Sequence, residues 1–166
     1  MADLHPSPFC DLVKRMFLEP ERQESIFDLP LKKCYRPDPT LDTSVRFHGK
    51  PAATPVGPAA GPQTQMAQNL LLSWLAGSRI LELKTVQIDD QLVINRPCID
   101  MTNVGYNIEF SQELRLQESL HEYVAGMMLI ELAQAGHVLP FESSRYDKVS
   151  TIYDFSVGYD LKGISS

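Results

Sequence analysis

The amino-acid sequence predicts an α/β fold built on a parallel sheet. Strand-like and helix-like segments alternate along most of the chain, and such alternation with right-handed crossovers produces parallel strands. The clearest strand covers residues 79–86, a long helix runs from Ser111 to about Ala135, and a further strand covers residues 149–157. The 166 residues are 43% hydrophobic, which is enough for a packed core and too much for a disordered chain.

Residues 1–41 are predicted to form a helix followed by an extended arm. Ser7 can cap the helix and Pro8 suits its first position, because apolar residues follow at helical spacing as far as Pro20, which should end the helix nearby. The remainder of this region contains three prolines, so we expect it to be extended and without regular structure. The β/α part is then predicted to cover residues 42–166.

A hairpin and a helix are predicted next. Residues 44–56 have the pattern of two strands joined by a turn at residues 48–51. A loop of glycine, proline and alanine over residues 57–62 leads into a helix over residues 63–75, and Gly77 is a natural stop signal.

The second half of the chain is predicted to cross from one strand to the next through a loop and a long helix. Residues 92–108 have the composition of a loop, and Ser111 can cap the helix that Gly136 ends. The apolar stripe of this helix has the period of a half-buried helix; it consists of Leu116, Leu120, Tyr123, Val124, Met127 and Ile130. The returning strand of the hairpin and the strands over residues 79–86 and 149–157 would form a parallel sheet of three strands with an unpaired edge. We therefore expect this chain to be a fragment of a longer protein, or to be completed by another copy or a partner.

Composition argues against nucleic-acid and membrane partners. Lys and Arg number 15 against 21 Asp and Glu, which gives a net charge of −6 and disfavours a broad phosphate-binding surface. No apolar run approaches the ~18–20 residues of a membrane span, and the first residues lack the features of a signal peptide. We therefore expect a cytoplasmic protein.

The cysteines and histidines predict no metal site in this chain. Cys10, Cys34 and Cys98 are far apart and form no C-x-x-C pair, so we expect small buried thiols. His121 and Glu122 begin like a zinc-protease motif, but alanine stands where the second histidine is needed, and this predicts a histidine on a helix surface. Nucleotide-binding glycine motifs and the G-x-S-x-G motif are absent from the sequence, and the catalytic residues stay unassigned.

Candidate binding residues follow the predicted strands. The loop containing Ala59, Ala60 and Gly61 lacks bulky side chains and could let its amides approach a planar ligand, although a tight turn explains the same composition. Lys84 and Thr85 end the clearest strand, where they could bind an anionic atom or simply face solvent. Two further candidates, Asn103 and Asn107, could bond a heterocycle or merely form turns.

Taken in order, these segments resemble the start of the dihydroorotate dehydrogenase-type flavin barrel. The resemblance lies in the hairpin that leads into Ala59-Ala60-Gly61, in the strand ending at Lys84-Thr85, and in the loop from Asn103 to Asn107. A closer resemblance covers nearly the whole chain and is to the N-terminus of the selenate reductase subunit family. It is carried above all by the run T-P-V-G-P-A-A-G-P-Q-T-Q over residues 54–65.

The resemblance implies a fold and a set of cofactors. The chain would be the N-terminal portion of a (β/α)8 TIM barrel of the FMN-linked dehydrogenase type, preceded by the helix, the arm and the hairpin. FMN would be bound by Ala59, Ala60, Gly61, Lys84, Thr85, Asn103 and Asn107. Iron–sulphur clusters and an FAD/NAD(P)H module are expected only in the full-length protein. The barrel would be completed by the rest of the same polypeptide or by a partner subunit.

The function that the resemblance implies is electron transfer between a reduced nicotinamide nucleotide and a substrate. A non-catalytic docking module with a vestigial flavin site is the alternative, and a lyase or isomerase on the same fold is a third possibility. In a complete eight-stranded barrel the phosphate site usually lies in the loops after the seventh and eighth strands, beyond the portion that this chain would form. We therefore expect the isolated chain to bind FMN weakly or not at all and to be inactive.

Overall fold

The computed structural model describes residues 5–38, 40–86, 99–100, 106–107, 114–139, 151–156 and 165. Its helices are α1 (Phe9–Gln23), α2 (Ala67–Leu75) and α3 (Leu116–Ala135), with short 3-10 turns at Leu31–Lys33 and Pro62–Gln65. Its strands are β1 (Ser25–Ile26), β2 (Leu29–Pro30), β3 (Val45–Phe47), β4 (Lys50–Ala52), β5 (Ile80–Glu82), β6 (Ile99–Asp100), β7 (Tyr106–Asn107) and β8 (Ile152–Asp154).

The parallel pair β5–β8 is the centre of the described structure. These strands align Ile80 with Ile152 and Glu82 with Asp154, and α3 lies between them in the chain. The pairs β1–β2, β3–β4 and β6–β7 are antiparallel. The prediction of mixed helix and strand with a parallel connection is confirmed for β5 and β8.

One hydrophobic core joins all three helices to β5. Side chains alternate across a strand, and one face of β5 is covered by α2 and α3. The residues that form the centre of this core are all within 1% of full burial; they are Leu12, Met16, Leu70, Leu71, Leu81, Leu83, Leu129 and Ile130.

The first helix differs from its prediction at the N-terminus and ends near Pro20, as predicted. Pro8, not Ser7, stands at the N-cap, and its carbonyl accepts the amides of Asp11 (2.9 Å) and Leu12 (3.2 Å). Pro20 lies inside α1, and the helix continues for three more residues before Glu24 adopts a left-handed φ of 52°. The prediction of a Ser7 cap was therefore wrong, whereas the predicted end near Pro20 is confirmed, three residues further on.

The predicted extended arm contains regular structure after all. A tight turn joins β1 to β2 through Phe27 and Asp28, whose φ values are 48° and 66°. The amide of Phe27 donates to the buried Glu19 carboxylate at 2.6 Å, and this bond stabilises a conformation that bulky residues rarely adopt. The arm later joins α2, since the amide of Tyr35 donates to the carbonyl of Leu75 at 2.8 Å. The boundary at residue 42 stays a prediction.

The hairpin β3–β4 has a shorter turn than predicted. His48 and Gly49 both have positive φ, 48° and 76°, which is the geometry of a type I′ turn that matches the twist of the two strands. The returning strand therefore starts at Lys50. Two further short strands, β6 and β7, lie in the segment predicted to be a loop.

The long helix ends at Ala135 as predicted but begins later. Ser111 lies outside the described residues, and the amide of Arg115 donates to the Glu118 carboxylate at 2.8 Å, which satisfies one free donor at the helix start. The strand predicted over residues 149–157 corresponds to β8, which is shorter than predicted.

The predicted stripe of α3 is only partly correct. Tyr123 and Ile130 are buried, but Leu120 and Val124 are 51% and 45% exposed. The buried face also carries the small or polar residues Ser119, Glu122 and Gly126, and α2 packs closely against it. A Cβ atom on Gly126 would lie 2.5 Å from Cδ1 of Leu70. Hydrophobicity alone could not predict which face this close contact selects.

A second close approach joins the segment after β4 to β5. The carbonyl of Val56 accepts the amides of Arg79 (2.9 Å) and Ile80 (3.3 Å). A Cβ atom on Gly57 would lie 1.5 Å from the carbonyl oxygen of Ile80, so only glycine fits. Neither backbone can move without losing the hydrogen bonds at Val56.

Replacing Gly57 with alanine is expected to destabilise the fold by more than about 3 kcal/mol, because the clash is with backbone rather than with a flexible side chain. Gly49→Ala is the control, since a Cβ there meets nothing within 4 Å and only the positive φ of 76° opposes it. We expect it to cost about 1 kcal/mol. Urea denaturation of both variants tests this, and equal losses would contradict it.

Candidate functional site

The candidate site lies where the parallel strands β5 and β8 end. A regular parallel ladder steps two residues at a time on both strands. Here the amide of Leu83 donates to the carbonyl of Asp154 at 2.7 Å, and the next bond runs from the amide of Val86 to the carbonyl of Ser156 at 3.1 Å. Two residues, Lys84 and Thr85, therefore face one residue of the partner strand. The strand end carries a β-bulge.

The burial pattern shows the same bulge. Leu81 and Leu83 are buried two residues apart, and the next residue buried in the core is Val86, three residues on. Tyr123 of α3 donates its hydroxyl to the carbonyl of Lys84 at 2.5 Å. Burial raises the pKa of Tyr123 above its ordinary value of 10.0, so the phenol is protonated and able to donate at neutral pH.

The bulge brings two hydroxyl groups together at the rim, which we define as Lys84, Thr85 and Ser156. The Oγ1 of Thr85 and the Oγ of Ser156 are 2.9 Å apart and accessible to solvent. Lys84 is only 7% exposed and carries a further interaction of its own. The rim therefore presents two hydroxyl groups to solvent, while Lys84 is buried.

A groove of about 480 Å³, here called the acidic groove, lies on the face of β5 and β8 opposite the core. Glu82 and Asp154 are paired in register, and both line it. Ala59 and Arg46 also line the groove, and Arg46 donates to the carbonyl of Gly49 at 3.2 Å. Two carboxylates against one guanidinium make this groove unsuited to a phosphate group.

The Gly-Ala loop is placed beside β5 rather than beyond its end. Gly57 lies against Ile80, at the start of the strand, and Ala59 lines the acidic groove. Gly61 is buried, and its amide and carbonyl are both bonded to Thr64, at 3.2 Å and 2.9 Å. Within the described part of the chain, the amides of Ala59 and Ala60 donate no hydrogen bond.

The structure thus brings together some of the predicted binding residues. Lys84 and Thr85 form the bulge, and Ala59 opens onto the groove of the same strand pair. Asn103 lies outside the described residues, and Asn107 belongs to β7. Their assignment as cofactor-binding residues stays a prediction.

Two separate sets of polar groups among the described residues are open to bond a flat polar ring such as a flavin. The unbonded amides of Ala59 and Ala60 can donate to its edge, and the hydroxyls of Thr85 and Ser156 can donate or accept. The amide of Gly61 is already occupied, so this residue can contribute only by having no side chain.

A residue of α3 holds the start of α2, and no motif in the sequence indicated this role. The carboxylate of Glu122 accepts the amide of Ala67, the first residue of α2, at 2.7 Å, and no residue of α2 supplies a side-chain cap of its own. A carboxylate is favourable at the positive end of a helix. This donor is therefore unavailable to an anionic ligand. His121, beside it, is exposed as predicted.

Several other predictions can be compared with the described residues. Cys34 is buried, which raises the pKa of its thiol, but Cys10 is exposed, so the prediction of buried thiols was wrong there. Cys98 lies outside the described range. The described residues contain no group of three or more His, Cys, Asp or Glu that could hold a metal ion. In the same residues, no helix has the length and apolar character needed to cross a bilayer.

Two substitutions at Glu122 are expected to differ. Glu122→Ala leaves the buried amide of Ala67 without an acceptor and should cost about 1–3 kcal/mol. Glu122→Gln keeps an acceptor and should cost less. Urea denaturation at pH 7 separates the two, and equal losses would show that the hydrogen bond contributes nothing.

The stability difference between the wild type and Glu122→Gln is expected to depend on pH. Burial raises the pKa of Glu122 above its ordinary value of 4.5, while the bond from Ala67 opposes this. The folded state therefore binds this proton more tightly than the unfolded state, and the stability it contributes is lost as pH rises through the folded pKa. Glu122→Gln should gain stability relative to the wild type as the pH rises above 4.5. A difference that does not vary with pH would contradict this.

Comparisons with known proteins agree on one family. Residues 27–166 match the family model described as "Oxidoreductase YgfK, N-terminal TIM-barrel domain". Two curated relatives, both named "Putative oxidoreductase YgfK", come from Escherichia coli strain K12 and Escherichia coli O157:H7, and each is 44% identical to this chain over 165 residues. No solved structure matches the chain.

The relatives are much longer than this chain. The alignments cover 99% of the chain but only 15% of each relative. The family match begins within the turn that joins β1 to β2 and includes the parallel strands β5 and β8. The chain belongs to the family of N-terminal TIM-barrel domains of YgfK oxidoreductases.

Proposed function

We propose that this chain forms the first part of a flavin-binding barrel in a larger cytoplasmic oxidoreductase. That enzyme passes electrons between a reduced nicotinamide nucleotide and a small-molecule substrate. The observation that carries the proposal is the bulged rim, where Lys84, Thr85 and Ser156 meet at the ends of two parallel strands. Reactants bind at this end of the strands in β/α barrels.

The described residues each have a proposed role at the ring of FMN. The amides of Ala59 and Ala60 donate to its edge, and the hydroxyl of Thr85 supports it. The positive charge of Lys84 favours negative charge on the ring, and it acts strongly because the residue is only 7% exposed. Bound FMN supplies hydride and single-electron transfer.

Three further residues belong to this proposal on the basis of the resemblance. Gly61 gives close backbone approach, and Asn103 and Asn107 face the ring or the substrate. Iron–sulphur clusters and an FAD/NAD(P)H module complete the electron path elsewhere in the full-length protein. The rest of the polypeptide or a partner subunit completes the barrel, and selenate reduction and dihydropyrimidine dehydrogenase-like chemistry are the reactions to assay.

A specific observation favours a second function, docking without catalysis. Leu120, Val124 and Met128 repeat every four residues on the outer face of α3 and are 51%, 45% and 47% exposed. Neighbours at this spacing form one continuous strip on a helix. A full-length protein that purifies without FMN and whose assembly is lost in Leu120→Ser would favour docking over electron transfer.

The flavin proposal is tested by Lys84→Met in the full-length protein. Removing an enclosed positive charge beside the ring should lower FMN affinity about tenfold or lower the flavin reduction potential. Lys50→Met, in the exposed turn end of the hairpin, is the control and should change neither. Flavin content and potentiometric titration measure both effects, and identical values in the two variants would exclude Lys84 from the site.

The isolated 166-residue chain should bind FMN weakly or not at all. In a complete barrel the phosphate site is usually built by the loops after the seventh and eighth barrel strands, which are not the strands labelled β7 and β8 here. Fluorescence titration of the chain with FMN checks this. Stoichiometric flavin retained by the monomer through purification would contradict it.

A further inference from the structure

We propose that Tyr123 is a positioning residue that holds the Lys84–Thr85 bulge in the shape that binds the ligand. The inference rests on the proposed function only in its last step, the effect on flavin. Its structural step, that one phenol hydroxyl controls the rim, stands on the hydrogen bonds of the described residues.

The first argument is the hydrogen-bond balance of the bulge. A bulge leaves the extra residue without its ladder partner. The amides on either side of the bulge, those of Leu83 and Val86, remain bonded to β8. The carbonyl of Lys84, between them, accepts the hydroxyl of Tyr123 at 2.5 Å in the buried interior. A buried carbonyl that loses its partner is costly, so this bond favours the bulged register over the regular one.

The second argument is the rigidity of the support. Tyr123 is 5% exposed and lies on α3 beside Glu122, whose carboxylate accepts the amide of Ala67. One turn further along, Gly126 allows Leu70 of α2 to approach closely. The phenol is therefore held between two fixed contacts to α2, and its hydroxyl is a fixed point for the strand end.

The third argument is what the bulge does to the exposed side. Without the extra residue, the alternation of β5 would shift by one position after Leu83, and every later side chain would change face. Val86 would then leave the core, where it is 8% exposed. Thr85 would no longer meet Ser156, whose Oγ lies 2.9 Å from its own. The rim that is proposed to contact the ring exists only in the bulged register.

The test is Tyr123→Phe in the full-length protein, which removes a single oxygen atom. Tyr153→Phe is the matched control, because the Tyr153 hydroxyl is buried and has no hydrogen-bond partner in the described residues. Amide hydrogen exchange is measured at Val86, beyond the bulge, and at Leu83, before it. We expect exchange at Val86 to be about tenfold faster in Tyr123→Phe, with Leu83 unchanged and no change in Tyr153→Phe.

The outcomes separate positioning from general destabilisation. Equal acceleration at Leu83 and Val86, or none at either, would overturn the proposal. FMN affinity is measured on the same proteins, and we expect it to fall about tenfold in Tyr123→Phe alone. If the rim loosens and FMN affinity is unchanged, the link to ligand binding is overturned. If the wild type binds no FMN, the proposed function fails, and hydrogen exchange still decides the role of Tyr123.

Discussion

The described structure depends on one short stretch of α3, which holds the start of α2 and the end of β5. Glu122 accepts the first amide of α2, and Tyr123 donates to the carbonyl at the end of β5. Gly126, one turn later, sets the distance between the two helices. A helix rises about 5.4 Å per turn, so these three contacts lie within a single turn and a fraction. The start of one helix, the end of one strand and the interhelical spacing are thereby coupled.

Much of the architecture could be predicted because it depends on local patterns. The end of α3 at Ala135, the strand that became β5 and the position of β8 all follow from periodicity and stop signals. The turn at His48 and Gly49 was placed in the right region but made too long, since turn-forming residues extend as far as Pro51. Local patterns identify elements well and their boundaries less well.

The site could be predicted only in part, because its shape depends on contacts between distant residues. Lys84 and Thr85 were identified as a strand end, but their bulge depends on Tyr123, 39 positions away in the chain. Glu122 looked like part of a broken zinc motif, and its actual partner lies 55 positions away. One signal was available in the sequence. The apolar residues Leu81 and Leu83 are two positions apart, but the next one, Val86, follows after three.

The register of the parallel strands has a consequence for how a barrel could close here. Glu82 and Asp154 lie side by side on the open face, about 5 Å apart at their backbones. While this face is wet, solvent screens the repulsion between them. Enclosing both carboxylates would cost several kcal/mol for each ion unless they are neutralised. Closure of a barrel around this face therefore has to bring a compensating cation or admit water, so it is coupled to charge balance as well as to shape.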